Sequence, residues 1–226
     1  MKKARYWLEW LFVSGFARLI PLIPFGLLRV LADFAGSVFY LADRRSRAVA
    51  LANLEAAFGS EMSPKRRRQV ARKSLQVFAR TFLELFWTPR LNRKNVEKFV
   101  SFENPEIFRA LLATKQESPT IGITPIHALL HDRTGARLFP FITLARPGGG
   151  YSVRVFDPLQ FPPGTSYPKI AQTCWDGFEP IIRQHPEQWL WVYKHWRYLP
   201  ASSDRPYPFY ANRSERFDRE LENQGR

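Results

Sequence analysis

The sequence predicts an α/β domain preceded by a membrane-associating helical N-terminal region, and three observations support this fold class. Large apolar residues dominate from Tyr6 to Ala42, with prolines at Pro21 and Pro24. A helical and strongly basic section follows, as far as about Trp87. Beyond it, short apolar strands alternate with an amphipathic helix, which is the pattern of an α/β domain.

Composition and charge limit the classes of function. The 226 residues carry 34 Lys and Arg against 20 Asp and Glu, a formal charge of +14. Residues 1–100 hold 19 basic against 7 acidic residues, whereas residues 101–226 hold 15 against 13. The basic first part therefore indicates an anionic partner: a membrane, nucleic acid or an acidic protein. Cys174, the single cysteine, excludes an intramolecular disulfide and a Cys-based zinc site.

The first apolar region predicts membrane association without a spanning helix. Its uncharged runs reach 10 residues, at Leu19–Leu28, whereas a spanning helix needs about 18. We expect two helices, broken near Pro21–Pro24, that lie in or on a bilayer interface with Trp7, Trp10 and Tyr40 as anchors. The alternative is an ordinary core-forming helical hairpin.

Two further helices are predicted before the α/β part. A helix-compatible run from Ala48 to Phe58 is stopped by Gly59, and Ser63-Pro64 is a cap and first-turn pair for a long helix to about Trp87. The cations of the long helix crowd its first half: Lys65, Arg66, Arg67, Arg68, Arg72, Lys73 and Arg80. Each basic residue near an anionic leaflet contributes ~1 kcal/mol, so this cluster could hold a membrane surface. The alternative is that the charges only solvate the helix.

The later elements are shorter. We expect a buried strand at Pro119–Thr124, a helix end at Ala128–Asp132, a hairpin of strands Ala136–Ala145 and Tyr151–Asp157, a helix at Pro168–Gln184 and a loosely ordered tail from Ser202. The chain is thus divided into a membrane-associating segment at 1–42, an α/β domain at 43–200 and a polar tail at 201–226. No glycine pattern suits a nucleotide, and no cofactor is expected.

The candidate catalytic residues are His127 and Asp132, which follow the strand Pro119–Thr124. His127 would be a general base and Asp132 would orient its ring, as in a hydrolase dyad. Residues five apart on a regular helix point about 140° apart, so the dyad requires His127 to lie in the turn before the helix. His127 and His131 could instead hold a metal from one helix face, but a third ligand is missing, so no metal is expected. A further alternative is that these side chains merely face water.

Three blocks of sequence resemble one known family. They are residues 47–58, with NLEAAF at 53–58, the basic helix ending in RTFLE at 80–84, and IRQHPEQWLW at 182–191 with Trp196-Arg197. These blocks resemble the bacterial lipid A late acyltransferases of the lauroyl/myristoyl type. The resemblance implies a glycerolipid-acyltransferase-like sheet flanked by helices, with a His-x4-Asp/Glu motif after a strand.

The same resemblance implies a reaction and a location. Family members transfer a fatty acyl chain from acyl carrier protein to a lipid A precursor at the cytoplasmic face of the inner membrane. The expected partners are therefore membrane lipid, acyl carrier protein as donor and the lipid A precursor as acceptor. A basic nucleic-acid-binding module is the remaining alternative. It would explain the positive charge but not the Trp- and Phe-rich N-terminal region, so nucleic acid is not expected as a partner.

The centre of the chain departs from the family pattern. There the catalytic His directly follows Thr-Pro, whereas here Ile126 intervenes before His127, and residues 128–140 resemble a later family segment. We therefore expect a truncated fold that lacks an internal segment between Pro125 and Ile126, and His127-x4-Asp132 would then be a coincidence of the junction. The protein would in that case be a catalytically inactive, membrane-bound remnant of the family.

Overall fold

The computed structural model describes residues 2–104, 106, 131–134, 137–162, 164–201, 203 and 206–224. The chain forms two compact units, one comprising Met1–Asn92 with Pro186–Arg226 and the other Arg93–His185. The segment assignments 1–42, 43–200 and 201–226 concern function rather than compactness, and they stay predictions.

The first unit is helical. Its N-terminal helices are α1 (Lys2–Leu19), α2 (Phe25–Ala42), α3 (Arg44–Phe58) and α4 (Pro64–Trp87), with single 3₁₀ turns at Ile20–Leu22, Gly59–Glu61 and Thr88–Arg90. The predicted break near Pro21–Pro24 is confirmed, because α1 ends at Leu19 and α2 begins after Pro24. A proline in mid-helix removes a backbone hydrogen bond and clashes with the preceding turn.

Capping residues decide where α3 and α4 begin. The long helix starts as predicted, since the Ser63 hydroxyl accepts a hydrogen bond from the Arg66 backbone N–H at 3.3 Å. Helix α3 begins four residues before the predicted Ala48, because the Asp43 carboxylate accepts from the N–H groups of Arg45 and Ser46, both at 3.0 Å. The Ser46 hydroxyl also donates to this carboxylate, at 2.6 Å, and this bond together with the backbone bonds lowers the pKa of Asp43.

Helices α2 and α4 pack against each other along most of their length. The α2 residues buried in this unit are Leu28, Ala32, Gly36, Ser37 and Tyr40. The indole N–H of Trp87 donates to the Ile23 carbonyl at 3.1 Å, and the Trp87 ring lies 4.9 Å from that of Phe25. Since the end of α4 meets the beginning of α2, the two helices are antiparallel.

The second unit contains a small mixed sheet. Strands β1 (Val100–Phe102), β2 (Phe141–Ala145) and β3 (Tyr151–Val155) have the order β1-β3-β2, with β1 parallel and β2 antiparallel to β3. Around the sheet the structure describes a short helix α5 (Val96–Phe99) and the amphipathic helix α6 (Tyr167–Gln184). A glycerolipid-acyltransferase-like sheet stays a prediction, and the expected strand Pro119–Thr124 lies outside the described residues.

The predicted hairpin is confirmed, with shorter strands than expected. The turn between β2 and β3 is closed by the Arg146 N–H, which donates to the Gly150 carbonyl at 2.9 Å. Gly150 has φ 75°, and a Cβ on it would lie 2.2 Å from the Phe99 carbonyl oxygen, so both conformation and space demand glycine there. β2 begins only at Phe141, after Pro140, because proline supplies no N–H to a ladder.

The region after Ser202 differs from the loosely ordered tail that was expected. Tyr210 is buried in the first unit, and helix α7 covers Glu215–Gln224. The Asp218 carboxylate accepts from the Ala201 N–H at 2.9 Å. A polar composition concealed these anchors, because a few buried contacts suffice to order a hydrophilic segment.

Candidate functional site

The predicted dyad is only half described. His127 lies outside the described residues, so its contact with Asp132 stays a prediction. Asp132 belongs to a helical turn at 131–134, is exposed, and accepts a hydrogen bond through Oδ2 from the Tyr167 hydroxyl at 3.0 Å. This bond raises the pKa of Tyr167. Sequence reasoning missed the contact, because Tyr167 is the first residue of α6, 35 positions away.

His131 has a packing contact. Its ring meets the Phe161 ring edge to face, at 5.7 Å between centroids. Within the part of the chain that the structure describes, no group of three or more His, Cys, Asp or Glu residues is placed to hold a metal ion.

The C-terminal aromatic motif surrounds His195. The ring centroids of Trp189, Tyr193 and Trp196 lie 5.6, 5.3 and 6.0 Å from the His195 ring. Partial burial among these rings lowers the pKa of His195, and the hydrogen bond at the Leu190 carbonyl acts in the opposite direction. These contacts give His195 a packing role within the aromatic motif.

Asn53 joins this motif to α3. It is fully buried, and its Nδ2 donates to the carbonyls of Trp191 and Tyr193 at 2.5 and 2.6 Å. Its Oδ1 accepts from the Tyr210 hydroxyl. Two of the three blocks that carried the family resemblance are therefore held together by one amide. The sequence signal that could have indicated this role is a polar asparagine between apolar residues of a predicted helix.

The basic cluster of α4 divides into two groups. Arg67, Arg72 and Arg80 bind other parts of this unit, whereas Lys65, Arg66, Arg68 and Lys73 have exposed side chains for which the structure describes no partner. The Arg67 guanidinium donates to the carbonyls of Met62 and Gly59 at 2.9 and 3.0 Å and pairs with Glu55 at 3.0 Å. The sequence did not distinguish these groups, because all seven cations look alike in a run.

The N-terminal helices expose apolar side chains. By length and composition alone, helix α2 is long and apolar enough to cross a membrane, and most of its residues are not buried. The count of uncharged runs did not reveal this length, because Arg29 and Asp33 interrupt the apolar sequence of the helix. Phe34 of α2 is 70% exposed, and Trp7 and Trp10 of α1 are also exposed. An exposed apolar patch of this extent marks an interaction surface.

Comparison with known proteins gives one family. A family model described as bacterial lipid A biosynthesis acyltransferase matches the chain in two segments, residues 1–122 and 118–198. Such a two-part match is consistent with a missing internal segment, and the parts meet just before the junction expected at Pro125 and Ile126. His127 and Asp132 both fall in the second matched segment. No curated protein matches the chain.

Proposed function

The chain belongs to the bacterial lipid A biosynthesis acyltransferase family, and from this membership we propose that it moves a fatty acyl chain from acyl carrier protein to a lipid A precursor. The observation that carries the proposal is the family match over both parts of the chain. The family implies lipid substrates and an acyl donor in general. The basic first part of the chain suits both an anionic membrane and an acidic carrier protein.

In this proposal His127 is the general base. Its imidazole takes the proton of an acceptor hydroxyl while the hydroxyl oxygen attacks the thioester carbonyl carbon. The C–S bond then breaks, and the leaving thiolate takes that proton back. Positioned base catalysis of this kind contributes on the order of 10²–10⁴-fold. Asp132 orients the imidazole and stabilises its charged form.

The contact with Tyr167 leaves room for this role. In the described contacts the Tyr167 hydroxyl engages Oδ2 of Asp132 and not Oδ1. A carboxylate accepts several hydrogen bonds, so Asp132 can hold Tyr167 and an imidazole N–H together.

The second candidate function is a non-catalytic family member that binds lipid or carrier protein at the membrane. The two-part match supports it, because a chain without the intervening family segment would also lack the family's own catalytic motif. The discriminating comparison is a full-length relative: extra residues at the position that corresponds to 118–126 would establish the deletion.

The experiment measures acyl transfer from acyl carrier protein to a lipid A precursor in detergent. If His127 is the base, the unmodified chain transfers the acyl group, His127→Ala loses at least about 10²-fold of that activity, and Asp132→Asn decreases it sharply. His131→Ala is the matched control and should retain activity, because His131 packs on Phe161. Activity that is unaffected by His127→Ala would exclude the dyad. An inactive unmodified chain that still binds vesicles and carrier protein would establish the second candidate.

A further inference from the structure

Helix α2 presents two opposite faces. At 100° per residue, its outer face is an arc of about 100° that holds only large apolar residues, all exposed: Leu27, Val30, Leu31, Phe34, Val38 and Leu41. The inner face, centred about 180° away, carries Leu28, Ala32, Gly36 and Tyr40, all buried. The outer face is thus an unbroken apolar stripe that points away from the rest of the unit.

Helix α4 backs α2 as a second layer. It is fixed at one end by Trp87 on Ile23 and at the other by Arg72, whose Nε and terminal nitrogen lie 3.3 and 3.2 Å from the Ser37 hydroxyl oxygen. Between these points, the Arg80 guanidinium pairs with both carboxylate oxygens of Asp33. The positions of α2 and α4 relative to each other are therefore set over the whole overlap.

The free cations of α4 lie on the side that faces α2. Gln76 donates to the Ser37 hydroxyl at 2.8 Å, which identifies the α2-facing direction of α4. On a regular helix, Lys65, Arg66, Arg68 and Lys73 all lie within about 80° of that direction. They belong to the first turns of α4, towards and beyond the end of α2. The free positive charge therefore extends from α4 on the side where α2 lies, next to the end of α2.

This arrangement opposes a membrane-crossing α2. An 18-residue helix is about 27 Å long, close to the thickness of a hydrocarbon core. If α2 crossed, its partner segment Arg72–Trp87 would enter the bilayer with it, together with Arg72, Lys73, Arg80 and Glu84. Charged residues at the membrane centre are strongly disfavoured, whereas amphipathic helices lie in the interface with one apolar face buried.

We infer that α2 lies flat in the surface of an anionic bilayer, with its outer face among the acyl chains and the four free cations of α4 at the lipid phosphates. Packed helices are about 8–10 Å apart and an interfacial helix sinks about 5–10 Å, so α4 would stand at the level of the headgroups. The inference goes beyond the proposed function, since it describes how the chain meets the membrane whether or not it transfers an acyl group.

The first test measures depth. Single nitroxide labels are introduced at Leu27→Cys, Phe34→Cys and Leu41→Cys in the full-length chain carrying Cys174→Ser. The depth of each label in the membrane is measured by collision accessibility, in vesicles in which the anionic lipid phosphatidylglycerol makes up about 30% of the lipid. An in-plane helix gives three similar depths. A crossing helix would separate the labels at Leu27 and Leu41 by about 20 Å, and that result would overturn the inference, as would three labels in water.

The second test measures how much the four free cations contribute to binding of anionic lipid. The variant Lys65→Glu, Arg66→Glu, Arg68→Glu, Lys73→Glu should bind anionic vesicles at least about 100-fold more weakly, because each cation near the surface contributes about fivefold. Binding to neutral vesicles should change little. The matched control reverses four exposed cations elsewhere: Arg93, Arg137, Lys169 and Arg213. An equal loss in the control, or unchanged lipid selectivity in the first variant, would overturn the inference. Neither measurement needs acyl transfer, so failure of the proposed function leaves both readouts intact.

Discussion

Gly36 of α2 lies directly against the backbone of Gln76 in α4: a Cβ built on Gly36 would stand 2.6 Å from the Gln76 Cα atom and 2.7 Å from the Leu75 carbonyl oxygen. The contacted atoms belong to a helix backbone and cannot move aside like a flexible side chain. The absence of a side chain at this position is therefore what brings the apolar helix and the basic helix into contact.

Gly36→Ala should accordingly destabilise the first unit. The added methyl group forces the two helices apart, and overpacking of this kind costs roughly 1–3 kcal/mol. Chemical denaturation in detergent, followed by circular dichroism, measures the change. Gly26→Ala in the same helix is the control, because a Cβ there has no neighbour within 4 Å and alanine is the better helix former by about 1 kcal/mol. Equal effects of the two variants would show that the close approach is unimportant.

Arg67 should behave unlike its neighbours Arg66 and Arg68. The side chain of Arg67 is only 15% exposed and binds two carbonyls of the preceding turn, so Arg67→Gln should reduce stability by about 1–3 kcal/mol. Arg66→Gln and Arg68→Gln should leave stability unchanged and instead weaken binding to anionic vesicles by about fivefold each. Thermal unfolding and vesicle flotation separate the two effects. A loss of lipid binding in Arg67→Gln together with a loss of stability in Arg66→Gln and Arg68→Gln would contradict the division of the basic cluster into two groups.

The Asn53 network should control the stability of the C-terminal segment. Tyr210→Phe removes the hydroxyl that donates to Asn53 Oδ1, which leaves a buried acceptor unpaired at a cost of about 1–3 kcal/mol. Asn53→Ala should cost more, because it also releases the carbonyls of Trp191 and Tyr193. Hydrogen exchange of residues 206–224 should then increase.

Tyr207→Phe is the matched control for Tyr210→Phe, since no hydrogen bond of the Tyr207 hydroxyl is described. The same exchange behaviour in both tyrosine variants would show that the contact with Asn53 does not anchor this segment.

The second unit should lose stability in acid through Glu103. The Arg154 guanidinium, followed by the Ser152 hydroxyl at 2.8 Å, hydrogen-bonds this carboxylate and lowers the pKa of Glu103 below its ordinary value of 4.5. A lowered folded-state pKa means that the contribution is fully present above pH 4.5 and is lost as the pH falls through the folded-state value.

Unfolding of the full chain between pH 3 and 7, with and without Glu103→Gln, measures this contribution. The variant should be less stable than the unmodified chain at pH 7 and nearly equal to it at the acid end of the range. A constant difference across the range would show that the ion pair does not govern the pH dependence.

Local patterns in the sequence were enough for much of the helical framework. Pro21 and Pro24 predicted the break between α1 and α2, and Ser63 with Pro64 predicted the start of α4. These signals act within one turn of backbone, so a sequence displays them directly. The motifs at 53–58 and 182–191 likewise indicated the family that the comparison shows.

The tertiary structure decided the features that depend on distant partners. Asn53 binds residues 138, 140 and 157 positions away, and no local pattern encodes such contacts. Seven similar cations became two groups only when the turn at 59–62 presented carbonyls to Arg67 and α2 presented Ser37 and Asp33 to Arg72 and Arg80. A charge in a sequence specifies what a side chain can bind, but packing determines which partner is within hydrogen-bonding distance.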